Sequence, residues 1–516
     1  MDTPIPIGQT LADSARRTPD RVALWFGDRS WTYAGLHDAT DRVASGLAAA
    51  GVLPGDRVAL FTPNCPELLL GYYGCFKLGA VAVPLNYRYR QPEARYALEH
   101  SGATALIVHE SLAAEVEGLP LDPMGVRRRY LIGPERRPEF AAFAELLAGS
   151  AGGVPASAFG VDQPAAILYT SGTTARPKGV TYTHATLWHD CVIQTETFSF
   201  TADDVHLITT AACHAASFTG QLLPCLYTGG GCVLTHLPRP EEIVRLIAEH
   251  RVTRTQMLPA MLEGLVEALE ARPRGDLVSW KSCTAGGDVV ALELHHRFRA
   301  VTGFDVAELY GMTEVLTCIT NSPFGVKRLG SIGLPAFRTQ VRVADDHGGE
   351  TAPREVGELR VKSPAVMVGY WNDAKATAGA LHDGWMHTGD LARRDEDGWL
   401  WFVGRKKEII IRGGSNISPL EVEAVIDEHP AVRLCCVVGV PDRHLGQVVG
   451  AYVTLRPDAP RVTAEELRSF VAGRIAAYKV PERIFVVDDL PLNPTGKVDR
   501  RALHSRVEAE APQMSR

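Results

Sequence analysis

The segment with the strongest pattern for anion binding follows the apolar run 165–169 and reads TSGTTARPKG from Thr170 to Gly179. Small hydroxyl residues and glycine allow backbone N–H and side-chain O–H groups to converge on an anion, and the lysine at 178 adds a full positive charge. The pattern therefore favours a polyphosphate site. It lacks the G-x-x-x-x-G-K-[ST] spacing of the common nucleotide-binding loop, and a flexible Ser/Thr/Gly linker would have the same composition.

Two other short segments carry groups suited to a nucleotide. ELYGMTE, residues 308–314, offers a flat ring at Tyr310 for a base and a hard oxygen ligand at Glu314 for magnesium. HTGD, residues 387–390, places Asp390 on a glycine turn, where its oxygens could accept hydrogen bonds from ribose hydroxyls. An ordinary strand end and an Asx turn are the respective alternatives.

Other catalytic signatures are absent from the sequence, which has no G-x-S-x-G, H-E-x-x-H or G-x-G-x-x-G pattern. The neighbouring histidines His295 and His296 lie in the amphipathic stretch LELHHRFRA, and a solvated helix face explains them better than metal binding. The 10 cysteines include no C-x-x-C pair, which predicts reduced thiols and no zinc site.

The composition bounds the class of protein. The chain has 516 residues, of which 46% are hydrophobic and 22% charged, and single cores stop growing near roughly 250–300 residues, so at least two domains are expected. A net charge of −7 gives no broad attraction for nucleic acid or anionic lipid. The first residues lack the apolar core of a signal peptide, and prolines and charges interrupt the most apolar stretch, 60–85. We therefore expect a cytoplasmic protein without a membrane span.

The elements that must position these groups alternate between strand and helix. Apolar runs of strand length at 57–61 and 81–85 surround a helical pattern at 66–79, and the alternation continues along the chain. This rhythm predicts an α/β fold. The last hundred residues form a second α/β unit, with capping boxes at 418–421 and 463–466 opening helices. Because VGRKKEIIIRGG, 403–414, joins the two parts, a domain boundary is expected near Lys407, although a plain surface turn would also fit.

Taken in order, the segments from RVALWFGDRSWTYAGL (21–36) to PTGKVDR (494–500) resemble the adenylate-forming superfamily of acyl-CoA synthetases, adenylation domains and beetle luciferase. The chain is similar in particular to fatty-acid and coumarate CoA ligases, and the resemblance covers nearly all of it. It implies an α/β fold with a large N-terminal domain, residues 1–406, that binds ATP and the acid. It also implies a small mobile C-terminal α/β domain, residues 407–516, that carries the catalytic lysine.

Matched residue by residue, the resemblance implies a set of ATP-binding residues: Thr170, Ser171, Gly172, Thr173, Thr174 and Lys178 at the phosphates, Gly286 and Gly287 as the adenine wall, Tyr310 stacked on adenine, and Asp390 and Arg405 at the ribose. The implied catalytic residues are Lys497, Thr313 at the α-phosphate, Glu314 as the magnesium ligand and His214 at the acid. The implied acid pocket consists of His214, Ala215, Ala216, Ser217, Gly311 and Met312. Lys407 would be the hinge between the domains.

The implied reaction makes a carboxylate reactive in two steps. The acid attacks the α-phosphate of ATP in the presence of Mg²⁺, pyrophosphate leaves, and CoA then converts the acyl-AMP into acyl-CoA and AMP. Charge accumulates as two anions meet, and a positioned ammonium with magnesium meets that need. The small domain rotates about its hinge between the steps. The implied partners are a small carboxylic acid and CoA, with a carrier protein and a homo-oligomer also compatible.

The segment around His214 departs most from the family pattern. Relatives often carry Pro-Leu-Phe-His, whereas this chain has Ala-Ala-Cys-His at 211–214, followed by further small residues. Smaller side chains predict a roomier apolar cavity for a medium to large hydrophobic acid, including bulky or polycyclic ones, from fatty-acid or secondary metabolism. Bulk from Phe218 or Met312 would instead fill the space. The segment has no Arg or Lys for a second carboxylate, which disfavours a dicarboxylic acid.

Two other functions share these motifs. An acyl-AMP ligase that loads a carrier-protein phosphopantetheine arm differs only in its thiol acceptor. A non-catalytic nucleotide-binding homologue would retain the fold, but it has no need for Glu314, Asp390, Arg405 and Lys497 together. A luciferase-like oxygenase has no separate sequence signal.

Overall fold

The structure is a computed structural model that describes residues 3–150, 159–170, 177–271, 277–322, 324–413, 415–457, 459–493 and 497–510. Four of the predicted phosphate-loop residues, Ser171, Gly172, Thr173 and Thr174, lie outside this part of the chain. The chain forms two compact units, the first made of Met1–Val341 and Val361–Met386 and the second of Arg342–Arg360 and His387–Arg516. The predicted boundary near Lys407 is the point about which one domain would rotate relative to the other. These two units do not test such a rotation, so the boundary stays a prediction.

The strands of the described residues, in chain order, are β1 (Val22–Phe26), β2 (Arg29–Thr32), β3 (Arg57–Phe61), β4 (Val81–Pro84), β5 (Ala105–His109), β6 (Arg128–Ile132), β7 (Ala141–Ala142), β8 (Pro164–Thr170), β9 (Lys178–Thr183), β10 (Val205–Ile208), β11 (Gly231–Leu234), β12 (Arg254–Met257), β13 (Ser282–Gly286), β14 (Ala307–Met312), β15 (Val315–Asn321), β16 (Leu334–Pro335), β17 (Gln340–Ala344), β18 (Val356–Lys362), β19 (Gly369–Tyr370), β20 (Leu381–His382), β21 (Trp385–Arg394), β22 (Leu400–Arg405), β23 (Ile410–Arg412), β24 (Ser415–Ile417), β25 (Val432–Asp442), β26 (Gly446–Leu455) and β27 (Arg483–Val486).

The α-helices are α1 (Ile7–Arg17), α2 (Tyr33–Ala49), α3 (Pro66–Leu78), α4 (Gln91–Ser101), α5 (His184–Phe198), α6 (Ala215–Ser217), α7 (Leu223–Thr228), α8 (Pro240–His250), α9 (Pro259–Ala271), α10 (Leu292–Thr302), α11 (Ala374–Ala380), α12 (Pro419–Asp427), α13 (Ala464–Ala472) and α14 (Arg500–Glu510). Short 3₁₀ segments cover Glu110–Glu115, Phe143–Ala148 and Ala477–Lys479, and a π-helical segment covers Phe218–Leu222. The predicted α/β fold is confirmed.

Two large sheets of the first unit repeat one topology. Their strand orders are β16-β15-β14-β13-β12-β10-β11-β1-β2 and β19-β9-β8-β4-β3-β5-β6-β7. Within them, the runs β11-β10-β12-β13-β14 and β4-β3-β5-β6-β7 are parallel and follow the same order. In each run the chain moves to one side of the starting strand and then continues on the other. Such a reversal opens a crevice at the carboxyl ends of the strands, where α/β proteins bind ligands.

Local sequence explains where the helices that support these sheets begin and end. Helix α3 has Pro66 at its first position and ends at Gly79, which has a φ of 77°. A Cβ atom at position 79 would lie 2.4 Å from the Phe159 ring, so glycine is needed there for space as well as conformation. Helix α5 opens on a capping box of Thr183 and Thr186. The predicted helix at 66–79 and strand at 57–61 are both confirmed.

Of the two predicted capping boxes in the second unit, the one at 463–466 is complete, whereas the one at 418–421 has only the hydrogen bond to the Ser418 side chain. The Ser418 side chain accepts a hydrogen bond from the Glu421 N–H at the start of α12, and Thr463 accepts one from Glu466 at the start of α13. Both helices bury apolar side chains against a sheet with the order β24-β23-β26-β25, with β27 beside β26. A second hydrogen-bonded pair in this unit, β21 with β22, carries the candidate ribose-binding residues.

The prediction of a solvated face for both neighbouring histidines is wrong for one of them. His295 is 3% exposed, and its Nε2 atom lies 3.1 Å from a carboxylate oxygen of Glu308. His296 is exposed. His295 is on α10 and faces Glu308 on β14, so its side chain is buried. The sequence around the two histidines does not show this contact, because Glu308 lies on a later element. The ten cysteines are all buried, and none of the helices in the described residues has the length and apolar character to span a bilayer.

Candidate active site

The predicted magnesium ligand lies at the tip of a hairpin in the first unit. Strands β14 and β15 pair antiparallel with Met312 opposite Val315, so Thr313 and Glu314 form the turn. The Tyr370 hydroxyl donates a hydrogen bond of 2.7 Å to Glu314 Oε1, and the backbone N–H of Met367 donates to the Glu314 carbonyl at 2.8 Å. Glu314 is buried. The carboxylate is therefore held in one orientation by groups from another part of the chain.

The predicted phosphate-binding lysine contacts the same tyrosine that binds Glu314. Thr170 at the end of β8 is opposite Lys178 at the start of β9, and the Lys178 ammonium lies 4.7 Å from the centre of the Tyr370 ring. Burial and the Glu314 carboxylate raise the pKa of Tyr370 well above its usual value, so its hydroxyl keeps its proton and remains a donor. One aromatic residue thus contacts both the cation and the carboxylate, through its face and its hydroxyl.

The backbone of the hairpin turn is fixed by a second tyrosine. The Tyr182 hydroxyl donates a hydrogen bond to the carbonyl of Thr313. Burial, together with the nearby Asp190 and Glu314 carboxylates, raises the pKa of Tyr182 well above its usual value. The predicted α-phosphate contact at Thr313 is therefore on a turn whose backbone is anchored from strand β9.

Two of the predicted glycines, Gly286 of the implied adenine wall and Gly311 of the implied acid pocket, are required by close backbone approach. A Cβ atom on Gly286 would lie 2.3 Å from the Leu309 carbonyl oxygen, and one on Gly311 would lie 1.4 Å from the Leu316 carbonyl oxygen. Gly287 has a φ of 84°, in the left-handed region. Tyr310 is partly buried on β14, the strand parallel to the one that ends in Gly286. The residues predicted to form the adenine wall and the stacking ring are thus at neighbouring strands.

The predicted acid-binding segment begins at the carboxyl end of β10, next to the reversal point of its sheet. The Asn64 side chain accepts a hydrogen bond from the Ala212 N–H at 2.7 Å and donates to the Thr210 carbonyl at 3.0 Å. The Tyr72 hydroxyl donates to the Ala212 carbonyl at 2.8 Å. Two residues from around β3 and α3 therefore fix the backbone that leads to His214.

After His214 the chain forms α6, then the π-helical segment, then α7. The pocket residues Ala215 and Ser217 are buried, while His214 and Ala216 are partly buried. The Phe218 ring is fully buried and stacks on Tyr72 with 4.3 Å between ring centres. Its bulk is thus committed to the packing of the core. A π-helical segment is rare and frequently marks a functional site.

The predicted ribose-binding pair lies in the second unit. Asp390 on β21 is directly opposite Arg405 on β22, and Arg405 Nε lies 3.7 Å from Asp390 Oδ1. The Thr388 hydroxyl donates to the Leu359 carbonyl at 2.6 Å and accepts a hydrogen bond from the Asp390 N–H at 3.1 Å. The strand pair brings together two predicted residues that are fifteen positions apart in the sequence.

The predicted hinge and catalytic lysines occupy turns of the second unit. Lys407 lies in the turn after β22, where the Glu408 N–H donates to the Arg405 carbonyl at 2.9 Å. The backbone of Lys497 is bound twice by Asn493, because the Asn493 N–H donates to the Lys497 carbonyl at 2.7 Å and the Lys497 N–H donates to the Asn493 side chain at 3.1 Å. The backbone of Lys497 is therefore fixed by two hydrogen bonds to Asn493.

Comparison with known proteins shows similarity over nearly the whole chain. The family described as AMP-binding enzyme matches residues 11–371, and AMP-binding enzyme C-terminal domain matches residues 421–497. A feruloyl-CoA synthase from an Amycolatopsis species is 36% identical, with 95% of this chain and 97% of the relative covered. An indoleacetate–CoA ligase from Aromatoleum aromaticum is 34% identical, with 93% and 94% covered. The solved structure of an o-succinylbenzoate CoA synthetase from Bacillus subtilis, in complex with its acyl-adenylate intermediate, is 33% identical with a TM-score of 0.85 over 97% of this chain and 98% of that one.

Proposed function

The chain belongs to the AMP-binding enzyme family and is an AMP-forming acid–thiol ligase, and we propose that it joins a hydrophobic carboxylic acid to free CoA. In the first step a carboxylate oxygen attacks the α-phosphorus of ATP, and the bond from that phosphorus to the bridging oxygen breaks as pyrophosphate leaves. In the second step the CoA sulfur attacks the acyl carbon, the acyl–oxygen bond breaks, and AMP leaves. The thiol proton passes to solvent.

The observation that carries this proposal is the contact of Lys178, Tyr370 and Glu314. A cation and a buried carboxylate are held by one tyrosine, at 4.7 Å and 2.7 Å respectively. A carboxylate is a hard oxygen donor of the kind magnesium prefers, so the residues fit that ion. Bound to Glu314, magnesium would neutralise phosphate charge, while Lys178 would bind the phosphates and Tyr370 would orient the carboxylate.

The other proposed roles follow the family pattern. Tyr310, with Gly286 and Gly287, would bind adenine, and Asp390 with Arg405 would bind the ribose hydroxyls. Thr313 would contact the α-phosphate. Lys497 would stabilise the charge that develops as the acid meets the α-phosphate, and Lys407 would be the hinge for the second step. The described members of the predicted phosphate loop, Thr170 and Lys178, lie at the two strand ends that flank it.

The proposed acid is medium to large, apolar and bulky, with aromatic acids foremost. The segment Ala211–Ser217 carries small side chains, and the bulky Phe218 ring is stacked on Tyr72. Relatives named for ferulate, indoleacetate and 2-succinylbenzoate act on aromatic acids. We propose a cytoplasmic location, where both ATP and CoA are supplied.

Pyrophosphate release by the purified chain tests this proposal. The assay uses ATP and magnesium with acetate, dodecanoate, phenylpropanoate, indoleacetate and a polycyclic acid, each with and without CoA. We expect turnover that requires both an aromatic or other large acid and CoA. Acid-dependent turnover that ignores CoA would instead indicate a carrier-protein acceptor. Preference for acetate would overturn the proposed pocket, and no turnover with any acid would contradict the proposed ligase. Arg501→Ala changes an exposed residue near Lys497 and is the folding control for the Lys497→Ala variant that is considered in the Discussion.

A further inference from the structure

Helix α5 places a carboxylate and an amide in the interior of the first unit. Asp190 is 2% exposed and Gln194, one turn later on the same face, is fully buried. Neither Asp190 oxygen, nor Gln194 Oε1, forms a hydrogen bond of normal geometry with another described residue. A buried polar group without a partner costs about 1–3 kcal/mol. Two such side chains on one helical face therefore need a physical explanation.

Their surroundings connect them to the proposed acid-binding segment. The Gln194 Nε2 group donates a hydrogen bond to the Thr317 hydroxyl on β15. The hydroxyl of Thr219, in the π-helical segment, is near enough to Asp190 to favour its charged form, but burial has the larger effect and raises the pKa of Asp190 to about 8. The two side chains thus lie where α5, β15 and the π-helical segment meet.

The same position adjoins the ATP-binding hairpin. The Asp190 carboxylate acts electrostatically on Tyr182, whose hydroxyl is bound to the Thr313 carbonyl at the hairpin tip. On the other side, the Thr219 hydroxyl donates at 3.2 Å to the carbonyl of Ala215, the residue after His214. Asp190 is therefore close to both the place where the acid would be activated and the segment that would hold its apolar part.

The backbone in this region leaves little room for a larger apolar side chain. A Cβ atom on Gly220 would lie 3.1 Å from the Leu316 side chain and 3.3 Å from the Gln256 amide oxygen. Gln221, the next residue, is 3% exposed, and its amide oxygen forms no hydrogen bond with a described residue. In addition to Gln194 on α5, Gln221 on the π-helical segment thus has an amide oxygen with hydrogen-bonding capacity left for a polar ligand.

We propose that Asp190 and Gln194 form a subsite that binds a hydroxyl group at the end of the acid remote from its carboxylate. This inference rests on the proposed function, because it assumes that the acid lies along the segment after His214. A hydroxyl both donates and accepts, so it can donate to Gln194 Oε1 and accept from a protonated Asp190. A methyl group of similar size would leave both side chains without partners.

Matched acids on two scaffolds test the subsite. The first set is phenylpropanoic acid with hydrogen, methyl, hydroxyl or amino at the para position, and the second is dodecanoic acid with and without a terminal hydroxyl. The kcat/KM for acid-dependent pyrophosphate release is measured for the native chain, Asp190→Leu, Asp190→Asn and Gln194→Leu. Glu196→Leu removes an exposed carboxylate from the same helix and is the control.

On at least one scaffold we expect the native chain to prefer the hydroxyl acid over its apolar match by about ten- to a hundredfold, since a site built to bond a hydroxyl rejects analogues that lack it. Asp190→Leu should abolish or reverse that ratio, while Asp190→Asn and Glu196→Leu should retain most of it.

Equal use of hydroxyl and methyl acids by the native chain would overturn the subsite but not the ligase. A loss in Asp190→Leu that is equal for all acids would mean a structural role and overturn the subsite. Preference for the para-amino acid, whose arylamine is an uncharged donor and a poor acceptor, would mean that Asp190 accepts as a carboxylate and would overturn the protonated arrangement. Absence of turnover with every acid would overturn the proposed function itself.

Discussion

The hairpin around Glu314 and the helical segment after His214 differ in how far the polar groups in and around them are hydrogen-bonded within the protein. At the hairpin, the Tyr370 and Tyr182 hydroxyls and the Met367 N–H bond the turn residues. In the other region, the buried oxygens of Gln221 and of Asp190 on the neighbouring helix α5 form no hydrogen bond of normal geometry with described residues. The first region is held in place by the protein, whereas the second has hydrogen-bonding capacity left for a ligand.

The difference fits the two tasks of a ligase. ATP and magnesium are the same in every turnover, so a preorganised site whose groups are already oriented lowers the barrier without reorganisation. The acid differs between enzymes of one family, and discrimination among acids comes from groups that only the correct acid satisfies. If this division is right, changes in the ATP-binding machinery should reduce the rate with every acid equally, and changes near Asp190 should alter the ranking of acids.

The largest effect is expected for Lys497→Ala. Loss of one well-placed charge-stabilising donor typically costs about 100- to 1000-fold in rate, or roughly 3 to 4 kcal/mol. Single-turnover formation of acyl-AMP should fall by that amount for hydroxyl and methyl acids alike. The Arg501→Ala control should keep the native rate. An unchanged adenylation rate in Lys497→Ala would remove the residue from the catalytic machinery.

Lys407→Pro tests whether the two half-reactions need different conformations. Proline fixes φ near −65° and removes an N–H, so a residue that must change its backbone angles can no longer do so. We expect one half-reaction to be retained and the other to slow by more than about tenfold. Acyl-AMP formation and thioester formation are measured separately, with Lys406→Ala as the neighbouring control. Equal loss of both steps would argue against a hinge.

Tyr370→Phe should weaken the ATP side by a smaller amount. The variant keeps the ring beneath Lys178 but loses the hydrogen bond to Glu314, and a bond to a charged group contributes about 1.5–3 kcal/mol. The magnesium concentration for half-maximal rate should rise by about tenfold, and binding of magnesium with ATP, measured by calorimetry, should weaken in parallel. The exposed Tyr478→Phe should behave as native. A change confined to particular acids would break the comparison.

The smallest effect concerns Asp190 and pH. Because burial raises its pKa from 3.8 to about 8, the folded chain keeps a proton that the unfolded chain releases between those values. The unfolded state then binds fewer protons, so the stability from this proton is present below about pH 4 and is lost as the pH rises to 8. The Tm of the native chain should therefore fall relative to Asp190→Asn by a few degrees from pH 5 to 8. A constant difference would show that Asp190 does not titrate in this range.

Much of the arrangement of the proposed ATP side could be predicted because its residues are close in sequence. The spacing of ELYGMTE places Tyr310 and Glu314 on one hairpin, and TSGTTARPKG predicts Lys178 beside a strand end. Tyr370 was missed, since it is 56 residues from Glu314 and only the pairing of β19 with β9 brings it near. The only signal for Tyr370 in the sequence is a tyrosine in the segment before HTGD (387–390).

The acid side was less predictable for a related reason. Small residues after His214 indicate space, but Asp190 is on another helix with no motif of its own, and its burial depends on how α5 packs against β15. Asn64 likewise follows an ordinary strand, and its three hydrogen bonds to segments after β10 and β11 are visible only when both sheets are in place. His295 was assigned to solvent because its partner, Glu308, lies on a later strand.

The central claim, attack of the acid on the α-phosphorus of ATP, has one direct test. An acid with both carboxylate oxygens labelled as heavy oxygen (the oxygen-18 isotope) is incubated with the enzyme, ATP, magnesium and CoA. Mass spectrometry then determines how many labelled oxygens each product contains. The account predicts that AMP carries one heavy oxygen, that the thioester keeps the other, and that pyrophosphate has none. Heavy oxygen in phosphate or pyrophosphate, or an unlabelled AMP, would contradict an acyl-adenylate route.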